Sequence, residues 1–525
     1  MEYIKQIASY LVNTLLLFVI TLALPVIIAI LVLFQVHRQI VTQLLAIKYG
    51  SSFRGLLEGS DVVWAGQKQS SKAVANVLLL FEKPKHLPDG SVHLMELFCE
   101  RFKRLLTVDA YQKLFWQRRF QWGYYFWTKQ GLPLWPERYV KELDAIPTSG
   151  CLSKKQLSTL IGSISNRECN GTSWELLVGR QPLRHDGGSV MLYPRNEIVL
   201  VLMFAVKVIF RYHHSIADGI AIFRMFCKEF LDSTASAEKH VWNPNAANQT
   251  SMKGFITWQN LFQMVYRGPR FLVYEMLLKR EFNSFYGPEP SNNKIVCWAG
   301  DHEGLANHAT LAISAIKKVK QLIDDCSFTD IFLTAFATSL QSYCKRKCLP
   351  IPPTITIGQM RRFHRESEVI QLRNRSTAVF KTLPIGSLPS ATISQLEERI
   401  NAVKRPNDVD QAGADALITH LSVSYLPQLV PASIVRPLFA RSKFSVALSN
   451  IPAFVGNVSV GKYSLKEVTF WVPNIERNLF GLTLLTTNGR LQIGAIADST
   501  IITNENELER ILNDTLQQLR NMACV

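Results

Sequence analysis

Apolar positions along this chain fall into three patterns, and each predicts a different kind of structure. The first is an unbroken run. Between Gln6 and Val36 there is no Asp, Glu, Lys or Arg, and Leu, Ile, Val, Ala and Phe dominate. That exceeds the ~20 apolar residues needed to cross a bilayer, so residues 1–50 read as a membrane anchor. Pro25 near its middle leaves two forms open: one tilted, kinked helix, or a hairpin that enters one leaflet and returns. No strongly basic region precedes the run and no small-residue cleavage pattern closes it, which favours a retained anchor over a removable signal peptide.

The second pattern alternates strand-like and helix-like segments. Val77 to Phe81 predicts a strand, Leu94 to Leu106 and Leu152 to Ile164 helices, and Ile198 to Phe210 a buried strand. Phe115 to Trp127 interleaves aromatic residues with Arg118 and Arg119. This could serve base stacking on a basic groove, but the alternation more simply gives strands with one buried face. After Gly219, Ile220, Ile222, Phe223, Phe226, Cys227 and Phe230 recur at helical spacing. From about Ala306 the alternation resumes, with helices at Ser314–Ile323, Ser327–Tyr343, Ile393–Val403 and Glu505–Met522. The strands between them are Thr354–Ile357, Thr377–Leu383, Phe444–Leu448, Leu482–Thr486 and Leu491–Ile496. Residues 231–300 show the third pattern. Loop composition from Asp232 to Ser251 precedes two aromatic, basic amphipathic stretches broken at Gly268-Pro269, suited either to a membrane interface or to covering the core. Ser433 to Lys443, with Leu426 to Val430 before it, is another candidate contact of this kind.

Candidate chemistry sits where the strand ending at Phe210 meets the helix starting at Gly219, in His213-His214-Ser215-Ile216-Ala217-Asp218-Gly219. A neutral imidazole at the end of a rigid strand can take a proton from a hydroxyl near pH 7. Asp218 at the helix start can cap the first turn or pair with a cation, and Gly219 permits a tight turn. The plainer alternative is that the paired histidines merely end the strand. HHxxxDG is also the signature of the chloramphenicol acetyltransferase-like superfamily. The flanking residues resemble its wax ester synthase/diacylglycerol acyltransferase (WS/DGAT) family. Leu57 to Trp64 resembles that family's opening segment and Val77 to Glu82 its first strand. Trp174-Glu175 matches half of a Pro-Leu-Trp-Glu motif and Asp330 half of an Asn-Asp step, and Leu372-Arg373-Asn374-Arg375 resembles a Gly-Asn step into a strand. Ser449-Asn450-Ile451-Pro452 matches Ser-Asn-Val-Pro, and Gly489 to Gly494 with Asp498 resembles the last strand. The resemblance runs in order over roughly residues 55–520.

The resemblance implies an α/β fold of two chloramphenicol acetyltransferase-like lobes around a central tunnel, preceded by the N-terminal membrane helix or hairpin. The lobes would be residues 51–230 and 301–525, joined by 231–300. It implies transfer of a fatty acyl group from acyl-CoA to a long-chain alcohol or diacylglycerol, without a covalent acyl-enzyme, a metal or a resident cofactor. His214 would be the base, His213 a support for the loop with Gly219, and Asp218 the partner of an arginine. Asn450, Ser449 and Trp174 would be the substrate or oxyanion candidates. A smaller alcohol or amine acceptor, or an inactive lipid-binding tether, are the rival readings.

Length and charge fit this picture. A chain of 525 residues suits two domains of about 200 residues. The formal net charge of +17 asks for an anionic partner. Zinc-ligand spacing, recognition-module signatures and dense Lys/Arg blocks are absent from the sequence, which argues against nucleic acid and for membrane headgroups and CoA phosphates. The nine scattered cysteines suit a reducing compartment, and Arg38, Lys48 and Arg54 after the anchor favour a cytosolic body. The implied location is the endoplasmic reticulum membrane or a lipid droplet. Asn-x-Ser/Thr tripeptides occur at Asn170, Asn248, Asn374, Asn457 and Asn513, and some of them would carry glycans on a lumenal body.

Overall fold

A computed structural model describes residues 2–66, 72–82, 90–131, 133–144, 150–169, 171–183, 205–233, 257–278, 281, 283–286, 289–301, 311–362, 369–386, 392–404, 409–439, 444–452, 456–474 and 477–525. The apolar run forms one helix, α1 (Glu2–Tyr49), with Pro25 inside it, so the hairpin form is not adopted. At ~1.5 Å per residue α1 is about 70 Å long, far more than a bilayer core. Apolar side chains from Ile7 to Ile47 are exposed along it. Its C-terminal end docks on the body, where Val41 and Leu45 are buried against Leu56, Tyr124 and Phe126, and its N-terminal part meets Tyr266 through Tyr10.

The first lobe follows as β1 (Phe53–Leu56), α2 (Asp61–Ala65), β2 (Val74–Glu82), α3 (Gly90–Thr107), β3 (Trp116–Gln121), β4 (Tyr124–Lys129) and β5 (Val140–Glu142). Then come α4 (Lys154–Ser165), β6 (Trp174–Leu183), β7 (Ala205–His213), α5 (Gly219–Phe230) and β8 (Asp232–Ser233). The aromatic segment gives β3 and β4, which join β1 in a three-stranded sheet that receives α1. Of the expected 198–210 strand, residues 198–204 lie outside the described residues, as do 234–256 of the linker and 440–443 beyond Phe439. Among the described linker residues regular elements are present. Helix α6 (Trp258–Arg270) runs through Gly268-Pro269 without a break and passes into a π-helical segment, Phe271–Leu278.

The second lobe starts earlier than residue 301, with β9 (Lys294–Gly300), followed by α7 (Ala312–Leu322), α8 (Phe328–Arg346), β10 (Thr354–Arg362), β11 (Ser376–Pro384) and α9 (Ile393–Lys404). Next are α10 (Val409–Leu429), α11 (Ala432–Phe439), β12 (Val446–Pro452), β13 (Val458–Val460), β14 (Tyr463–Trp471), β15 (Phe480–Thr487), β16 (Arg490–Asp498) and α12 (Glu505–Met522). The Leu426–Val430 and Ser433–Lys443 stretches contribute to α10 and α11, which are tied to the body by Tyr124 OH donating to Leu429 O at 3.0 Å and Ala432 N to Gly123 O at 2.8 Å.

Two sheets organise the body. One runs β5-β6-β7-β2-β14-β13-β8, the other β11-β10-β12-β15-β16-β9. Strands β13 and β14 therefore belong by sequence to the second half and by pairing to the first lobe's sheet, which stitches the lobes together. Thr483 Oγ1 on β15 donates to Phe470 O on β14 at 2.5 Å, and Trp471 Nε1 on β14 donates to Cys297 O on β9 at 3.0 Å. A buried cluster containing Leu78, Ile209, Val296 and Trp298 fills the seam.

The feature that matters for function is a split in the second sheet. β12 pairs with β10 only at Val446–Leu448 against Ile357–Gln359, while it remains paired with β15 through Pro452. Beyond that point Met360–Arg362 of β10 and Ser449–Ile451 of β12 border a cavity.

Candidate active site

The histidine loop is held by backbone bonds before any side chain acts. His213 N donates to Ser173 O at 2.9 Å and His214 N to Ala73 O at 2.8 Å. Asp218 then caps α5, its Oδ1 accepting from Ala221 N at 3.0 Å.

The second Asp218 oxygen faces the other lobe. Oδ2 accepts from Arg375 N at 2.9 Å and Ser376 Oγ at 3.1 Å, and lies 3.5 Å from Arg362 Nε. Arg362, on β10, is thus the arginine that the aspartate meets, and the contact ties the loop across the lobes.

His214 lines the cavity and its tautomer is fixed by its surroundings. Asn374 Nδ2 donates to Asp61 Oδ1 at 2.8 Å and to His214 O at 2.7 Å. With both amide protons committed, Asn374 Oδ1 is an acceptor, and it lies 3.0 Å from His214 Nδ1. Nδ1 therefore carries the proton and Nε2 keeps a free lone pair. Trp64 on α2 stacks on the imidazole, with centroids 3.8 Å apart and planes at 20°. Burial pushes the His214 pKa down to about 4, with the Asp218 carboxylate and Asn374 acting in the opposite sense. The ring is neutral at pH 7.

His213 has a different environment. Its Nε2 faces Arg118 Nη1 at 2.7 Å, and because guanidinium only donates, Nε2 accepts. Nδ1 then donates to Ser215 Oγ at 2.8 Å. Burial, Arg118 and His214 hold its pKa well below the ordinary value. Both ring nitrogens are occupied, so this histidine locks the loop.

The cavity is lined from both lobes, by Ser60, Val63, Trp64, His214, Asp218 and Gly219 on one side and by β10, β11, β12 and α10 residues on the other. Ser449 and Asn450 both line it, but from different faces of the sheet. Register places Arg362, Ser376, Ser449 and Ile451 on the face toward His214, and Arg361, Thr377 and Asn450 on the opposite face. Ile451 would lie 3.0 Å from a Cβ on Gly219, which fixes which face meets the loop.

Trp174 stands elsewhere. It is fully buried in the first lobe's core, its ring against Phe102, Tyr139 and Phe210, and it does not line this cavity. Its neighbour Glu175 is bonded to Arg211 and lies 3.1 Å from Lys141 Nζ, so the matching dipeptide builds the lobe. Asp330 likewise caps α8 in a capping box with Ser327 and lies 3.0 Å from Lys381 Nζ.

Sequence reasoning did not single out Trp64, Asp61, Asn374, Arg362 or Arg118 as site residues. Trp64 and Asp61 lie in the quoted opening segment and Asn374 in the quoted Gly-Asn step. Their link to His214 is long-range and visible only in the fold. Asn374 is also the acceptor residue of a glycosylation tripeptide, and its engagement with His214 leaves no room for a glycan.

Comparison with known proteins agrees with this architecture. Residues 374–520 match the model of the WS/DGAT C-terminal domain. No curated protein matches the chain in sequence. A wax ester synthase/diacylglycerol acyltransferase from Marinobacter aquaeolei VT8 has a similar structure at TM-score 0.56 and 14% identity, covering 90% of this chain and 100% of that one. TRI3 trichothecene 15-O-acetyltransferase from Fusarium sporotrichioides is similar at TM-score 0.54 and 10% identity, covering 89% and 94%.

Proposed function

We propose that the chain is a membrane-bound O-acyltransferase of the WS/DGAT kind, a reading supported by the match of residues 374–520 to the WS/DGAT C-terminal domain and by the similar fold. It moves a fatty acyl group from acyl-CoA to a long-chain alcohol or diacylglycerol, giving a wax ester or triacylglycerol. The observation that carries this reading is the bare Nε2 of His214, held in the cavity by the Asn374 carbonyl.

In this reading the acceptor hydroxyl gives its proton to His214 Nε2 as its oxygen bonds to the thioester carbonyl carbon. Charge builds on the carbonyl oxygen, and Ser449 Oγ, on the face toward His214, is the candidate donor to it. Collapse breaks the C–S bond, and the imidazolium returns the proton to the leaving thiolate. The oxygen ester and free CoA balance the reaction, and no acyl-enzyme forms. While the proton is on the ring, the Asn374 carbonyl and the Asp218 charge support the cation that burial would otherwise disfavour.

The bilayer is the proposed source of the acceptor. Helix α6 lies against the N-terminal part of α1, with Tyr266 OH donating to Tyr10 O at 3.3 Å, and it exposes Trp258, Phe262 and Val265. Helix α10 packs between α6 and β11, and its Thr419 and Val423 line the cavity. One helix thus separates an apolar, aromatic surface from the reaction centre. The endoplasmic reticulum membrane or lipid droplets, with a cytosolic body, are the matching locations.

The test is neutral-lipid analysis of membranes containing the protein, given labelled palmitoyl-CoA with hexadecanol or diacylglycerol, beside the His214→Ala variant. Labelled wax ester or triacylglycerol from the native protein alone is the expected result. Product from both proteins would remove His214 as the base, and product only with short alcohols or amines would replace the acceptor class.

A further inference from the structure

The split between β10 and β12 makes the cavity pass from one face of the second sheet to the other. The His214 face is accounted for by the reaction above. The opposite face holds a group of polar side chains that the chemistry does not use.

Arg361 and Thr377 are directly paired across β10 and β11, so their side chains share that face. Continuing the β10–β12 register two residues past Gln359–Leu448 sets Asn450 across the split from Arg361, again on the same face. All three line the cavity. Among the described residues none of the three side chains is satisfied. The Arg361 side chain makes no hydrogen bond or ion pair among the described residues, its one charged influence being the Asp330 carboxylate, which is already paired with Lys381. Thr377 Oγ1 is buried without a partner, and the Asn450 amide makes no hydrogen bond among the described residues.

Leaving a cation, a hydroxyl and an amide without partners beside an apolar core carries a cost in each case. Other cations near the site are paired with carboxylates, Lys113 with Asp61, Arg362 with Asp218 and Lys381 with Asp330. A forked guanidinium flanked by a hydroxyl and an amide is suited to an anion with several acceptor oxygens, above all a phosphate.

We propose that Arg361, with Thr377 and Asn450, binds the phosphate-bearing arm of the acyl donor, which reaches His214 through the split between β10 and β12 from the face opposite the histidine. This rests on the acyl-CoA reading and adds to it a residue-level donor site. The acceptor then approaches on the α10 side, and the two substrates meet in the plane of the sheet. Asn450 serves donor binding, and the oxyanion falls to Ser449.

The full-length protein in membranes or detergent gives the test, with Arg361→Gln and Arg361→Lys made beside the native chain. Two donors are compared: palmitoyl-CoA and palmitoyl-N-acetylcysteamine, a thioester without phosphates. Arg361→Gln is expected to raise KM for palmitoyl-CoA at least tenfold with little change in kcat, and to raise it less than twofold for the phosphate-free donor. Arg361→Lys should recover part of the loss. Direct titration of CoA, with thermal unfolding of each variant as a folding check, should show the same weakening without turnover. Equal losses on both donors, or no loss on either, would overturn the donor site. Native protein that binds and uses palmitoyl-CoA as well as the glutamine variant does overturns this inference and leaves the acyltransferase reading standing. Native protein that neither binds CoA nor turns over overturns both.

Discussion

At the scale of single residues, the site is a case of one amide deciding what an imidazole can do. Asn374 spends both protons on Asp61 and on the His214 carbonyl, and so presents its own carbonyl to Nδ1. His214→Ala should lower kcat by roughly 10² to 10⁴, the range of a positioned general base, with KM little changed. Asn374→Ala should lower kcat by less, because the base remains but its tautomer is no longer enforced; paired kcat and KM measurements on the two variants check the order. A normal rate for Asn374→Ala would show that Trp64 stacking alone orients the ring. The pH dependence follows from burial. With the His214 pKa at about 4, kcat/KM should be flat from pH 6 to 8 and fall only as pH approaches 4. Stability moves in the same direction. Between pH 6.5 and about 4 the unfolded chain binds the proton and the folded chain does not, so stability is fully present above 6.5 and declines as pH falls through that window. For His214 the difference amounts to about 3 kcal/mol. Thermal unfolding as a function of pH, native against His214→Gln, should show part of that slope removed.

At the scale of elements, Asp218 illustrates why a sequence motif is partly legible. Its place at the start of a helix after a buried strand was enough to read a cap, and the structure has that cap. Pairing with an arginine was also expected, but which arginine could not be read, because Arg362, Arg375 and Ser376 are at least 144 residues away in sequence and come close only when the lobes meet. The same holds for helices and strands. Glu505–Met522 was legible to the residue because its apolar face repeats at helical spacing and Asn504 caps it. Strand β14 was missed although it is well buried. It crosses into the other lobe's sheet, and no local pattern announces a partner such as β2. Trp174 matched a motif and belongs to the core, because identity of a residue type carries no information on which face of a strand it occupies. Asp218→Asn should cost about 3–5 kcal/mol, since it leaves the buried Arg362 without its carboxylate, and should loosen the lobes as well as the loop. Denaturant unfolding checks the size, and an unchanged midpoint would reduce the contact to a local cap.

At the scale of the whole molecule, the arrangement of anchor, platform and cavity makes a claim about where the protein works that can be separated into parts. Helix α1 docks on the body through its C-terminal end, at Val41 and Leu45, and touches α6 near Tyr10, while much of its length exposes apolar side chains that water would not tolerate in such number. Helix α6 adds a second apolar face beside it, through Trp258, Phe262 and Val265. If α1 spans the bilayer and α6 lies at its surface, the two should fail differently. Removing residues 2–36 keeps the end docked on the body, gives up the Tyr10 contact with α6, and should leave a folded body that no longer resists alkaline carbonate extraction yet still sediments with vesicles at low salt. Replacing Trp258, Phe262 and Val265 by Ser in the full chain should leave carbonate resistance intact while lowering turnover of bilayer-dissolved hexadecanol more than that of a short, water-soluble alcohol. Combining both changes should release the protein from vesicles altogether. Sedimentation of the three variants, with turnover of the two alcohols, decides the matter. A body that is fully released by the truncation alone would make α6 a cover over α10 with no membrane role, and would remove the bilayer as the route by which the acceptor reaches Thr419, Val423 and the cavity behind them.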